Sequence, residues 1–200
     1  MSIDSGRALP NARLRYLLLA TEVILGRGGL LSMLHHARLH RYSDRLPPDN
    51  RNLEVYAGEY AGLVQAIETY YGHGARGVLT RIGRESFRQH LRAQRLQALA
   101  RRITLLPQSA SARALTALRW VAEALAYPSR PAEAKREGGR LVLCDYESDA
   151  AFGHTRSAPS CWLTIGVAEE ALRWATGQEY DITETGCKSV GGPACRFEVG

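Results

Sequence analysis

The order of elements along this chain predicts an α+β fold: an N-terminal helical half packed on a small antiparallel sheet, formed by two hairpins that flank a helix. Three observations carry the prediction. Through residue 130 the apolar side chains recur at spacings of three and four, the period of a helix with one buried face. After Pro128 and Pro131 the pattern changes to short alternating runs separated by glycine turns, the signature of strands and hairpins. Those runs then read strand–strand–helix–strand–strand, with helices and strands segregated rather than alternating along the chain. We expect one domain over residues 1–200, with 1–130 its helical part and 131–200 its strand-rich part. A chain of 200 residues buries enough surface to fold without disulfide staples.

Each element follows from local chemistry. Asn11 is placed to cap a helix through Leu14, Leu17, Leu18, Ala20, Val23 and Ile24, which stops at Gly26 and Gly28. A second helix is expected from Gly29 to His40, before the turn-rich Asp44–Asn52 with its Pro47–Pro48 pair. A third spans about Leu53 to Tyr71, on Tyr56, Tyr60, Leu63 and Ile67, and Gly72 and Gly74 end it. From Ala75 to about Ile103 one amphipathic helix carries Arg81, Arg84, Arg88, Arg92 and Arg95 as a stripe, away from Val78, Leu79, Ile82 and Phe87. Beyond Pro107, Ser109 or Ser111 caps a helix to about Ala126, with Leu115, Leu118, Val121, Ala122 and Leu125 on one face and Trp120 off it. Ala132–Glu137 and Arg140–Tyr146 form a hairpin about Gly138–Gly139. A polar loop runs from Glu147 to Ser160 and opens with the turn pair Ser148–Asp149. The next helix spans about Leu163 to Thr176, stopped by Gly177, and the last hairpin pairs Tyr180–Lys188 with Ala194–Val199 across Gly191-Gly192-Pro193.

Composition bounds the function classes. Apolar residues make up 45% and charged residues 23%, near the globular averages, which excludes a disordered tail or a collagen-like fibre. The longest apolar run, Tyr16 to Ala20, is far short of a bilayer and Glu22 follows it, so no membrane span is expected. No stretch has the form of a secretory leader, and we expect a cytoplasmic protein. The charge is uneven: residues 1–130 hold 19 Lys and Arg against 9 Asp and Glu, and residues 131–200 hold 7 against 11. A basic front half suits phosphate contacts, but no helix-turn-helix, finger or aromatic-interleaved motif accompanies it. The Arg stripe therefore reads first as a solvated helix face whose stems cover apolar surface, and nucleic acid is the disfavoured partner. His36 and His40 have the spacing of metal ligands on a helix, yet no third ligand lies near, so surface histidines are expected. The absence of a Ser/His/Asp arrangement, a Walker loop and a dinucleotide fingerprint inclines the reading away from an enzyme.

All four cysteines, Cys144, Cys161, Cys187 and Cys195, lie in the last third. Clustered thiols in a reducing compartment point to metal or redox chemistry rather than disulfides. Glu184 and Cys187 lie on one limb of the final hairpin, and Cys195 on the return limb. Cys161 precedes the helix that could carry the chain around to them. Three thiolates and a carboxylate make a closed set for Zn²⁺, although no Cys-x-x-Cys knuckle is present. Buried free thiols beside a surface glutamate are the alternative. Cys144 is left over, either a buried strand thiol or a substitute ligand.

The pattern Cys-x22-Glu-x2-Cys-x7-Cys, with C-W after the loop and G-C-x3-G-G-x2-C-R-F at the end, resembles the 4-vinyl reductase domain family. It is most similar to the phenol-sensing input domains of certain bacterial transcriptional activators. Residues 71–84, Y-G-H-G-A-R-G-V-L-T-R-I-G-R, resemble a weaker segment of the wider family, whose α+β fold is shared with subunits of transport-protein particles. The resemblance implies a structural zinc ion on Cys161, Glu184, Cys187 and Cys195, a homodimer and a hydrophobic pocket. It places Ile165 and Ile182 toward that pocket, where ordinary core packing is the competing reading. Trp120 and His154 are the candidates by type for the residues that hold a phenolic hydroxyl in the sensors, and neither sits in a matching motif. Trp120 is equally a candidate dimer contact, as are the N-terminal helices.

These readings converge on a stand-alone, zinc-stabilised sensor or carrier domain for a small apolar or aromatic molecule, signalling through a partner protein or through its own dimer. A tetrapyrrole-binding or 4-vinyl reductase-type protein of bacteriochlorophyll biosynthesis is the alternative, weakened by the lack of a recognisable site for an electron donor. A basic dimeric adaptor for protein or nucleic acid is the third.

Overall fold

The computed structural model describes residues 7–200 and combines helices with two small antiparallel sheets. Strand β1 (Ala8–Pro10) leads into helix α1 (Asn11–His36) and pairs with β2 (Leu53–Tyr56). The helices α2 (Ala57–Tyr71), α3 (Ala75–Ala93), α4 (Arg95–Leu105) and α5 (Ala110–Ala126) follow. The hairpin β3–β4 (Ala132–Glu137, Arg140–Asp145), helix α6 (Trp162–Thr176) and hairpin β5–β6 (Ile182–Gly186, Cys195–Val199) close the chain. The two hairpins join along β4 and β6 into one four-stranded sheet of order β3-β4-β6-β5.

Several boundaries differ from the sequence reading, each for a physical reason. Asn11 is the first helical residue rather than a side-chain cap. The backbone N–H groups of Asn11 and Ala12 donate to the carbonyls of Asn52 and Asn50, which satisfies them as a cap would. Asn11 Nδ2 also donates to Glu54 at 2.6 Å. The break expected at Gly26 is real: its φ of 74° suits glycine, and α1 resumes beyond it. The third expected helix begins at Ala57, because Leu53–Tyr56 is spent pairing with β1. The long helix after Ala75 is two helices, separated at Gln94 (φ −110°, ψ 44°). Ser109 is the cap of α5, its hydroxyl accepting from the Ala112 N–H at 3.3 Å. The first hairpin and α6 fall within a residue or two of expectation.

Helix α1 also carries an 18-residue window of mean hydropathy 1.6, long and apolar enough by length and composition to cross a membrane. Here Leu14, Leu17, Leu18, Leu30 and Leu34 are fully buried among α2, α3 and the residues about them. Core packing accounts for those side chains.

Helix α6 is the centre of the molecule. Almost every residue from Leu163 to Leu172 is buried, as expected of a helix covered on all sides. One core cluster lies among α1, α2 and α3, and a second lies between α5, α6 and the four-stranded sheet. The contact of α3 with α6 is a backbone contact. A Cβ on Gly83 would stand 2.1 Å from the Leu163 carbonyl oxygen, and one on Gly166 would stand 2.1 Å from that of Thr80. Around this crossing two arginines of the stripe, Arg84 and Arg88, are ion-paired to α6. Arg84 Nε lies 2.9 Å from Glu169, and Arg88 holds both oxygens of Glu170, at 2.9 and 3.0 Å. Arg92 turns back to Glu85 at 2.6 Å, while Arg81 and Arg95 stay exposed. Burial opposes ionisation of Glu170, but the guanidinium groups of Arg173 and Arg88 outweigh it and hold the carboxyl below its usual range.

Candidate metal centre and cavity

The final hairpin and the start of α6 bring Cys161, Glu184, Cys187 and Cys195 together, with one ligand atom from each within 4.8 Å of the others. Cys161 occupies the residue before α6, where the helix dipole favours a negative charge. A register shift between Glu184 and Gly186 in β5 alters the strand before it delivers Cys187. The turn back is tight. The Gly192 N–H donates to the Cys187 carbonyl at 3.0 Å, and a Cβ on Gly192 would stand 2.8 Å from that oxygen. Cys195 then opens β6.

The sulfurs of Cys161 and Cys187 are 3.6 Å apart, those of Cys161 and Cys195 3.5 Å, and those of Cys187 and Cys195 3.7 Å. Tetrahedral bonds of about 2.3 Å from sulfur to a metal ion imply a sulfur separation of about 3.8 Å. A disulfide would require about 2.05 Å. Glu184 Oε2 accepts the Cys161 N–H at 2.8 Å, while its Oε1 is buried without a hydrogen-bond partner. The Lys188 N–H points at Cys195 Sγ at 3.4 Å, and the Ser189 hydroxyl lies 3.0 Å from Cys187 Sγ. Such outer contacts orient ligating groups.

The electrostatics describe a set that lacks a counter-charge. Cys187 is pushed down because the thiols of Cys161 and Cys195 donate to it. Cys161 is pushed up by that donation and by burial. The contact with Cys161 pulls Cys195 down, but donation to Cys187 and burial outweigh it and lift the thiol to about 12. Burial raises Glu184 to about 7. Burial and mutual repulsion oppose ionising all four groups together, and a cation among them would relieve both. All three cysteines belong to the apolar cluster beneath the sheet. The four residues could hold a metal ion. Cys144, buried in β4 opposite Arg196 and Glu133, stands outside the set.

A cavity of about 200 Å³ lies along another side of α6. Its aromatic wall comprises Tyr16, Tyr60, Phe87, His90, Trp120 and Trp174, contributed by α1, α2, α3, α5 and α6, with Tyr127 just beyond α5. The Trp120 and Trp174 rings are 6.1 Å apart, Phe87 meets Trp174 edge-on at 6.4 Å, and Tyr16 meets His90 edge-on at 5.7 Å. Of the three residues expected at a pocket, Trp120 lines this one. Ile165 and Ile182 are not part of its lining; both are buried in the second core cluster with the cysteines. His154 lies outside the wall as well; the histidine in the lining is His90. Trp120 is half-buried against Trp174 and beneath Arg101.

At one end of the cavity Asp149 is 4% exposed and accepts from Arg7, Arg13 and Arg130. Asp145 nearby is raised to about 6 by burial and by the Asp149 charge. In the sequence Ser148–Asp149 reads only as a turn, because the three arginines that make it a hub come from distant segments. His90, Phe87 and Trp174 also escape the sequence reading. The available signal was the recurrence of Thr164, Val167, Ala171 and Trp174 at helical spacing, a second face of α6.

Residues 146–200 match the model of the 4-vinyl reductase domain family, in agreement with the resemblance carried by the cysteine pattern, and the matched segment includes all four clustered residues. No curated protein matches the chain. Among solved structures, an H-NOX protein from Shewanella oneidensis in its Fe(II)NO state matches with a TM-score of 0.55 at 11% identity, covering 93% of this chain and 97% of that one. A mutant H-NOX domain from the same organism, in its Fe(II)CO state, matches with a TM-score of 0.58 at 11% identity, covering 92% and 96%. At that identity the likeness is one of fold.

Proposed function

We propose that this chain is a small-molecule-binding domain of the sensor or carrier kind, with an aromatic or apolar ligand in the cavity and a structural Zn²⁺ on Cys161, Glu184, Cys187 and Cys195. The observation that carries the reading is the cavity: bounded by five helices, lined mainly by apolar and aromatic side chains and furnished with polar groups. An apolar cavity of about 150 Å³ takes up benzene. A volume of about 200 Å³ therefore suits one ring or two small ones. A tetrapyrrole is several times larger, which favours this reading over a bacteriochlorophyll intermediate. The family match over residues 146–200 supports a ligand-binding module, and the H-NOX likeness supports the frame.

Zinc fits the chemistry of the cluster. Thiolate is its preferred donor, and four protein ligands leave no open position for water, so the ion would clamp the β5–β6 hairpin to α6 rather than catalyse. Occupancy would be read out by a homodimer or a partner protein.

Two measurements test the proposal. Native mass spectrometry of protein purified without added metal should show one zinc per chain, lost in Cys161→Ser and Glu184→Ala. Four free thiols and no metal would sink the zinc assignment. Titration with phenol and toluene, followed by tryptophan fluorescence, should saturate in the wild type and weaken at least ten-fold in Trp120→Ala. If no one-ring aromatic, charged or neutral, binds saturably, the small-molecule reading falls.

A further inference from the structure

The second pole of the cavity carries a charge that the chain does not neutralise. Arg51 and Arg101 both line the cavity, and among the described residues neither guanidinium makes a side-chain hydrogen bond or lies within ion-pair distance of a carboxylate. Both are instead held by ring faces: Arg51 stands 4.7 Å over Tyr127, and Arg101 stands 4.9 Å over Trp120. Stacking fixes a guanidinium in place while leaving its N–H groups free to donate. Arg13 and Arg130, by contrast, are spent on Asp149, and Arg88 is spent on Glu170.

The surroundings agree. Arg101 is pushed down by burial and by the like charge of Arg51, against the pull of Glu123. His90, in the same wall, is pushed down by burial and by Arg101 and Arg51, with Asp49 opposing. Asp49 is already engaged, accepting the Tyr16 hydroxyl at 2.6 Å. Both arginines line the cavity, Arg51 exposed and Arg101 half-buried, and their like charges oppose one another, which an anion bound near both would relieve.

Resting on the small-molecule reading above, we propose that the ligand is an aromatic carboxylate, its ring against Phe87, Trp120 and Trp174 and its carboxylate received by Arg51 and Arg101. Each guanidinium offers a planar fork of N–H donors of the kind a carboxylate accepts. The volume limits the ligand to a one-ring or small two-ring acid.

The test compares benzoate with benzamide, which has nearly the same shape and no charge, by calorimetry on the zinc-loaded chain. Benzoate should bind at least ten-fold more tightly, with an affinity that falls as salt rises. Arg51→Gln and Arg101→Gln should each reduce that preference, and the double variant should abolish it. Far-ultraviolet dichroism and the melting temperature of each variant, compared with the wild type, report that the fold is intact. Equal affinity for the two compounds would overturn the proposal, as would a preference that survives in the double variant. Saturable binding of phenol or benzamide without benzoate would overturn it while leaving the small-molecule reading in place. Failure of all three aromatics to bind would remove both.

Discussion

His90 illustrates how one side chain can report on the cavity. Burial, then the charges of Arg101 and Arg51, hold its imidazole below the ordinary histidine value of about 6.5. The unfolded chain therefore takes up the proton first as pH falls. The stability associated with the neutral ring is complete above about pH 6.5 and is lost as pH drops through the window down to the folded value. His154 is shifted in the same direction and adds to the slope, so the comparison must be made between variants. Melting curves from pH 8 to pH 5 should show His90→Gln losing less stability on acidification than the wild type. Parallel curves would show that His90 is not held neutral by its surroundings. The same residue marks a limit of sequence reading. Its role depends on Arg51 and Arg101 from distant parts of the chain, and no local pattern around Gln89–Leu91 signals it. Cys161, Glu184, Cys187 and Cys195 were legible because their chemistry is carried by residue type and by a short hairpin.

Among the elements, the α3–α6 crossing sets the geometry on which both sites depend. Gly83 and Gly166 let the two backbones touch, and Arg84 and Arg88 lock the approach with Glu169 and Glu170. Adding one methyl group at Gly83 places it against the Leu163 carbonyl, a backbone atom that cannot rotate aside. The helices must then separate, and overpacking of this kind costs about 1–3 kcal/mol or more. Gly83→Ala should lower the melting temperature by several degrees, whereas Gly77→Ala, with open space around it, should leave stability unchanged or raise it slightly. Equal effects at both positions would show that the crossing is not close-packed. Elements bounded by local signals were legible. The β3–β4 turn announces itself through Gly138–Gly139, and α6 ends at Gly177, whose φ is 78°. The β1–β2 pairing was hidden because its strands are short and far apart in sequence. The division at Gln94 was hidden because no glycine or proline marks it. The Arg stripe was visible as a stripe, but its partners on α6 lie more than 80 positions away in sequence.

At the scale of the whole molecule, the cysteine cluster and the cavity share α6. Cys161 stands at its first turn, and Thr164, Val167, Ala171 and Trp174 form part of the cavity wall along the same helix. Metal at the cluster would hold that first turn against the β5–β6 hairpin. Without it, three thiols and a carboxyl that cannot all ionise must be accommodated in an apolar setting, and the start of the wall loses its anchor. Coupling between two sites is reciprocal: whatever factor zinc adds to the affinity for an aromatic ligand, the ligand adds to the affinity for zinc. Couplings of this kind usually run from about 5-fold to 150-fold. Phenol should therefore bind several-fold more weakly to chelator-treated protein that retains its far-ultraviolet dichroism than to the zinc-loaded form. Saturating phenol should raise the chelator concentration needed to remove half the zinc by the same factor. Equal phenol affinities in the two forms would show that the clamp only secures the hairpin and that α6 transmits nothing from it to the cavity.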